Sequence, residues 1–270
     1  MKQRREAGAT GRWPPAALAV PFVLALSFVV LPLVGLLWKA PWSHALDDLT
    51  TSTVGTALRL SLVCSLGAMA ISALLGIPLA WVLARIDIPG RSLIRALTML
   101  PMVLPPVVGG VALLLAFGRR GLLGAPIAGA TGLSLPFTTP GVIVAESFVA
   151  MPFLVITVEA GLRSMDVRFE EAARTLGAGR WTVFRRVTLP LIGPSLAAGA
   201  VLAWSRALGE FGATITFAGN FPGTTQTAPL AIYIDLESGQ LPSAVILSLL
   251  LVVVSLAVLV ALRGRYLGDA

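Results

Sequence analysis

Long apolar runs divide this chain at the spacing of membrane crossings. Residues 16–37, 56–84, 94–117, 140–162, 190–218 and 242–262 carry few charges. A helix needs about 20 apolar residues to cross a hydrocarbon core, so each run predicts one span. The second and fifth exceed that length and are expected to tilt, kink or project beyond the bilayer. Pro101, Pro105 and Pro106 interrupt the third run, while Pro78, Pro152 and Pro194 punctuate others. Proline frees backbone carbonyls that neighbouring helices must satisfy. Small residues such as Gly109, Gly110, Ala198 and Gly199 allow helices to approach closely. These features suit ordinary helix packing, or kinks around a pathway that opens and closes.

Composition agrees with the pattern. Of the 270 residues, 56% are hydrophobic and 12% charged, against about 45–50% and about 25% in soluble domains. The mean hydropathy is +0.89. The expected fold is therefore all-α and integral to the membrane, with six transmembrane helices. The net charge is +7, but the basic residues sit in short segments flanking apolar runs, which argues against nucleic acid as the partner.

Those segments orient the spans. The N-terminal tail (1–15) holds Lys2, Arg4, Arg5 and Arg12, and the loop after the second run holds Arg85, Arg91 and Arg95. Six more arginines, between Arg163 and Arg186, follow the fourth run, and Arg263 and Arg265 lie near the C-terminal tail (264–270). The opposite side carries only Lys39, Arg119 and Arg120. Positive charge collects on the cytoplasmic side, so both termini and the 163–189 loop are expected there. The run at 16–37 is too long for a signal-peptide core and reads as a retained first helix, ahead of a transport domain at 50–263.

Much chemistry is missing. There is no GxxxxGK[ST] phosphate loop, so the chain is not itself a P-loop ATPase. His44 is the only histidine, which excludes histidine-cluster metal sites. No GxSxG nucleophile elbow occurs. Glu146, Glu159 and Glu210 lie within apolar runs without a context specific to hydrolysis. No catalytic, cofactor-binding or metal-binding residue is expected, and the chain reads as a non-enzyme. Cys64 lies in an apolar run and reads as a small buried hydrophobe.

The polar island after the fourth run is the most patterned polar stretch. Phe169, Ala172, Ala173 and Leu176 fall on one helical stripe. Asp166 suits an N-cap and Gly177 a C-cap. Glu170 and Arg174 form a favourable i,i+4 pair. Trp181 and Phe184 begin a second short helix, and Pro190 suits the start of the next span. Periodicity alone leaves two readings open: an amphipathic hairpin in the headgroups, or a docking element for a soluble partner.

The spelling Glu171-Ala172-Ala173, Gly177, Val187, Leu189 and Pro190 follows the pattern EAA-x3-G-x9-V-x-LP. It resembles the EAA loop of type I bacterial ABC importer permeases, with Val187 where that family usually has Ile. The resemblance covers roughly residues 50–263. It implies that Glu171, Ala172, Ala173, Gly177, Leu189 and Pro190 couple the chain to a separate ATPase through the 166–190 loop. It also implies two ATP-binding subunits carrying ATP and Mg, a second permease copy, an extracytoplasmic binding protein, and a multi-pass location in the bacterial plasma membrane.

A second stretch, from Arg206 through Leu208-Gly209-Glu210-Phe211-Gly212 to Asn220, is similar to molybdate permeases. The third run and Gly118-Arg119-Arg120-Gly121 resemble the same group. This implies an oxyanion cargo, molybdate or tungstate, moved by alternating access. Sulfate/thiosulfate permeases, which pair two different chains, share much of the pattern and form the alternative. An ATP-independent transporter or channel is a further one. Arg206 lies 17 residues beyond Leu189, or about 25 Å along a helix. A charge there should face the bundle interior or an acidic partner. Arg206, with Glu210 and Glu146, reads either as an ion pair bracing an outer gate or as a lure for the anion. Thr214, Thr216 and Asn220 are candidate neutral hydrogen-bonding groups along the path.

Overall fold

The computed structural model describes residues 16–43 and 52–266. The N-terminal tail at 1–15, His44 and residues 267–270 lie outside them. Among the described residues, twelve helices follow in chain order. They are α1 (Ala16–Trp38), α2 (Ser52–Arg85), α3 (Arg91–Val103), α4 (Pro106–Phe117), α5 (Gly124–Thr131) and α6 (Thr139–Ser164). Then come α7 (Arg168–Thr175), α8 (Arg180–Leu191), α9 (Gly193–Leu208), α10 (Gly212–Ala218), α11 (Ala228–Glu237) and α12 (Leu241–Tyr266). No strand occurs among the described residues.

Four helices, α1, α2, α6 and α12, contain stretches long and apolar enough to cross a membrane; two bent pairs bring the total to six. The third expected span is not one helix. Its halves α3 and α4 meet at 118°, because Pro105 and Pro106 follow Leu104, whose backbone is extended. Proline disfavours the helical region for the residue before it, so the chain must turn there. The fifth expected span is also divided. Helix α8 meets α9 at 72°, and α9 ends at Leu208 before α10 starts at Gly212. The segment between the fifth and sixth apolar runs contains α11.

Helix α6 is the centre of the bundle. Leu154, Val155, Val158 and Leu162 on α6 pack with Ala68, Ala80 and Leu83 on α2 and with Ala203 and Ala207 on α9. In lipid, burying apolar surface gains little, so close approach of backbones must supply the packing. Glycine and alanine make that approach possible. A Cβ at Gly161 of α6 would lie 2.4 Å from Ser195 Oγ on α9. Gly161→Ala therefore forces the two helices apart. The expected cost is about 1–3 kcal/mol, seen as a lower thermal midpoint of the detergent-purified protein. An unchanged midpoint would contradict this contact.

The polar end of the bundle is built from arginines that grip carbonyls and carboxylates. The Arg91 guanidinium donates to Leu83 O, at the end of α2, and to Asp87. Arg163 donates to the same Leu83 O at 3.2 Å. Glu159, expected as an intramembrane carboxylate, lies at this basic end instead. It is buried and takes ion pairs from Arg95 of α3 and Arg163. This cluster ties α3 to α6. Helix α1 stands at the margin, leaning on α12 and turning nearly all its apolar side chains outward.

Candidate coupling island and charged elbow

The island between α6 and α9 begins with a turn. Asp166 Oδ1 accepts the Arg168 N–H at 3.0 Å, so this carboxylate satisfies one free donor at the start of α7. The helix closes on Gly177, whose φ is +86°. The Gly177 N–H bonds Arg174 O at 2.9 Å and the Ala178 N–H bonds Ala173 O at 3.0 Å. These two bonds form a Schellman closure, which favours glycine at the left-handed position. Helix α8 then begins as α-helix, passes through a π turn at Phe184–Thr188, and resumes as α-helix at Leu189.

The apolar stripe of α7 faces away from the rest of the chain. Phe169 is 56% exposed and Leu176 88%, and Ala172 is exposed beside them. Glu171 is also exposed, whereas Ala173 is half-buried. The buried residue of α7 is Glu170. It accepts a hydrogen bond from Thr188 Oγ1 at 2.7 Å and lies 3.7 Å from the Arg85 guanidinium at the end of α2. The expected Glu170–Arg174 pair does not form. Tertiary partners on α8 and α2 outcompete an exposed i,i+4 neighbour, whose attraction is worth only about 0.2–0.5 kcal/mol. Sequence reasoning therefore missed the island's main tether; a carboxylate directly before Glu171 was the only signal. Glu170→Ala should cost about 1–3 kcal/mol, while Glu170→Gln keeps an acceptor for Thr188 and should cost less. Thermal unfolding of the two variants compares them directly, and equal midpoints would remove the tether's significance.

The second cluster sits at the break between α9 and α10. Arg206 occupies the last turn of α9, where a positive charge meets the negative end of the helix. Glu210 precedes α10. Its Oε2 lies 2.5 Å from Arg206 Nη2, and its Oε1 accepts the Ala213 N–H at 2.9 Å. One carboxylate thus joins two helix ends. Its side chain is 1% exposed and that of Arg206 is 29% exposed. Glu146 of α6 is buried within electrostatic reach of Glu210, and its Oε2 has no hydrogen-bond partner. The structure therefore brings Arg206, Glu210 and Glu146 together.

The threonines are placed differently. Thr216 spends its hydroxyl on Gly212 O of its own helix at 2.8 Å. Its Cβ lies where a Cβ on Gly110 of α4 would be, at 2.5 Å. Thr214 is fully buried and its hydroxyl has no partner. Asn220 is half-buried, with Oδ1 unpartnered. Among the described residues no group of three or more His, Cys, Asp or Glu is disposed to hold a metal.

The divided helical bundle carries both the glycine-closed polar island and the charged elbow. Residues 76–266 match the family of binding-protein-dependent transport system inner membrane components, and the chain belongs to that family of ABC importer permeases. It is a multi-pass inner-membrane protein and a transport subunit, not itself an enzyme. Within the family it is 45% identical over 253 residues to the molybdenum transport system permease protein ModB of Mycobacterium tuberculosis, covering 93% of this chain and 94% of the relative. The ModB protein of Escherichia coli K12 is 44% identical over 206 residues, covering 75% and 90%. The E. coli sulfate transport system permease protein CysT is 35% identical over 241 residues, covering 89% and 85%. The fold also matches a bacterial ABC transporter involved in import of the acidic polysaccharide alginate. There the TM-score is 0.71 at 22% identity, over 92% of this chain and 93% of that one.

Proposed function

We propose that this chain forms the membrane pathway of an ATP-driven importer of molybdate, or of the closely similar tungstate. The observation that carries the cargo assignment is the 45% identity to a molybdenum permease against 35% to a sulfate permease, each over most of the chain. In this reading two copies of the chain line the path. Two ATPase subunits, with their ATP and Mg, receive the exposed stripe of α7, and an extracytoplasmic protein delivers the anion.

Coupling follows from the placement of the island. Glu171, Ala172 and Ala173 meet the ATPase, Gly177 ends the docking helix, and Leu189 and Pro190 lead into the span. A push on α7 reaches α8 through the Glu170–Thr188 bond and α2 through Arg85. The charged elbow favours the gate-brace role over the anion lure. One guanidinium is held by Glu210 with Glu146 nearby, which leaves no surplus of positive charge to attract a dianion. Selection then rests with the binding protein, and Thr214, Thr216 and Asn220 offer neutral contacts along the path as the bundle moves.

The deciding experiment reconstitutes the permease with its ATPase and adds candidate binding proteins loaded with molybdate, tungstate or sulfate. ATP hydrolysis should rise with the first two. Stimulation by sulfate alone would assign the chain to the sulfate branch, and anion flux without ATP would overturn ATP-driven import.

A further inference from the structure

Two clefts share a wall where α2 meets the island. The first, of about 430 Å³, is almost wholly apolar and runs along Pro78, Val82 and Trp181. The second, of about 390 Å³, is cationic and is lined by Arg85, Arg174 and Arg180 against the single carboxylate of Glu170. Trp81, Arg180 and Phe184 line both. Three guanidinium groups facing one carboxylate leave an excess of positive charge. The Arg85 Nε and Nη2 atoms are buried without a hydrogen-bond partner. The nearest carboxylate oxygen, Glu170 Oε1, is 3.7 Å from Nη2 and already accepts the Thr188 hydroxyl. Arg174 and Arg180 form no ion pair among the described residues.

A buried, charged donor without an acceptor is costly, so this end of the site calls for an anion. A free oxyanion would need only the cationic cleft. The adjoining apolar cleft supplies the other half of an amphiphile's requirements. Its walls are Trp81 and the stacked rings of Trp181 and Phe184, 5.6 Å apart, and tryptophan favours the membrane–water interface. Basic pockets between membrane helices bind acidic lipid headgroups.

We propose that this double cleft binds an acidic phospholipid. The phosphodiester sits against Arg85, Arg174 and Arg180, and one acyl chain lies along Pro78, Val82 and Trp181. Such a lipid links the end of α2 to the island, so it braces the element that meets the ATPase. The binding requires only that the chain lies in a membrane and stands whichever anion is transported; the bracing role rests on the coupling proposed above.

The test uses the permease purified with its ATPase, passed through nanodiscs of phosphatidylcholine with or without phosphatidylglycerol, and read by native mass spectrometry of retained lipid. Phosphatidylglycerol should be retained over phosphatidylcholine. The double variant Arg174→Gln/Arg180→Gln should lower that retention about 25-fold, at about fivefold per arginine. Trp181→Ala, on the apolar side, should lower it independently. Inorganic phosphate should not displace the lipid. Equal retention of the two lipids, retention unchanged in both variants, or displacement by phosphate alone would overturn the proposal; the last would mark a free-anion site instead.

Discussion

Replacing Glu210 with alanine is expected to lower the stability of the folded permease by about 3 kcal/mol. The figure is the lower end for breaking one partner of a buried ion pair, about 3–5 kcal/mol, because Arg206 keeps some exposure. Three losses combine. Arg206 loses its counter-charge inside an apolar span, the Ala213 N–H loses its acceptor, and the join between α9 and α10 loses the side chain that bridges the break. Glu210→Gln should be milder, since an amide oxygen still accepts from Ala213. The double variant Arg206→Ala/Glu210→Ala should recover part of the loss, because it removes the orphaned charge along with its partner. Thermal midpoints of the wild type, both single alanine variants and the double variant complete the cycle. Strict additivity would mean that the two charges do not act as a pair.

Gly177→Val is expected to reduce ATP-driven uptake at least about tenfold while the protein remains inserted. Gly177 adopts φ +86°, a conformation that costs an ordinary L-residue about 1–2 kcal/mol and a β-branched one more. A Cβ there meets nothing within 4 Å, so no clash spreads into the bundle. The damage is confined to the closure of α7. Opening that closure by about 1.4 kcal/mol makes the docked form tenfold rarer. Asparagine tolerates the left-handed conformation, so Gly177→Asn should transport well. Uptake assays with membrane quantities matched by immunoblot compare the three proteins. Normal uptake by the valine variant would separate Gly177 from coupling.

Much of this architecture is legible in the chain because lipid imposes simple rules. Runs of about 20 apolar residues must cross, and the spans at 16–37, 56–84, 140–162 and 242–262 coincide closely with α1, α2, α6 and α12. Four of the arginines read as marking one side, Arg85, Arg91, Arg95 and Arg163, cluster in space around Leu83, Glu159 and Glu170. The pair Arg206 and Glu210 could be read from its i,i+4 spacing. The broken spans were harder. Pro105 and Pro106 announce an interruption, but the 118° turn depends on how α4 packs on α10, where Gly212 approaches Pro106. The break at Gly209 is weaker still, since glycine is common within membrane helices. Glu170 was misassigned because helical spacing knows only neighbours on the same helix. Its partners, Arg85 and Thr188, come from distant segments. Nothing in the spelling of Phe184–Thr188 signals a π turn.

That π turn gives the nine residues between Gly177 and Val187 a geometric meaning. Each α-helical residue advances the chain by about 100°, and a π turn accommodates one residue more than the α-helix would. Removing Phe184, Arg185 or Arg186 is expected to restore a regular α-helix; every named letter of the EAA pattern survives, but its spacer falls from nine residues to eight. The island would then be swung by roughly a quarter of a turn relative to α9, with Glu170 carried away from Thr188 and the face bearing Phe169 and Leu176 aimed elsewhere. The length of this spacer therefore sets the angle between the island and α9, and one residue more or fewer re-aims the island even where every contact residue is kept.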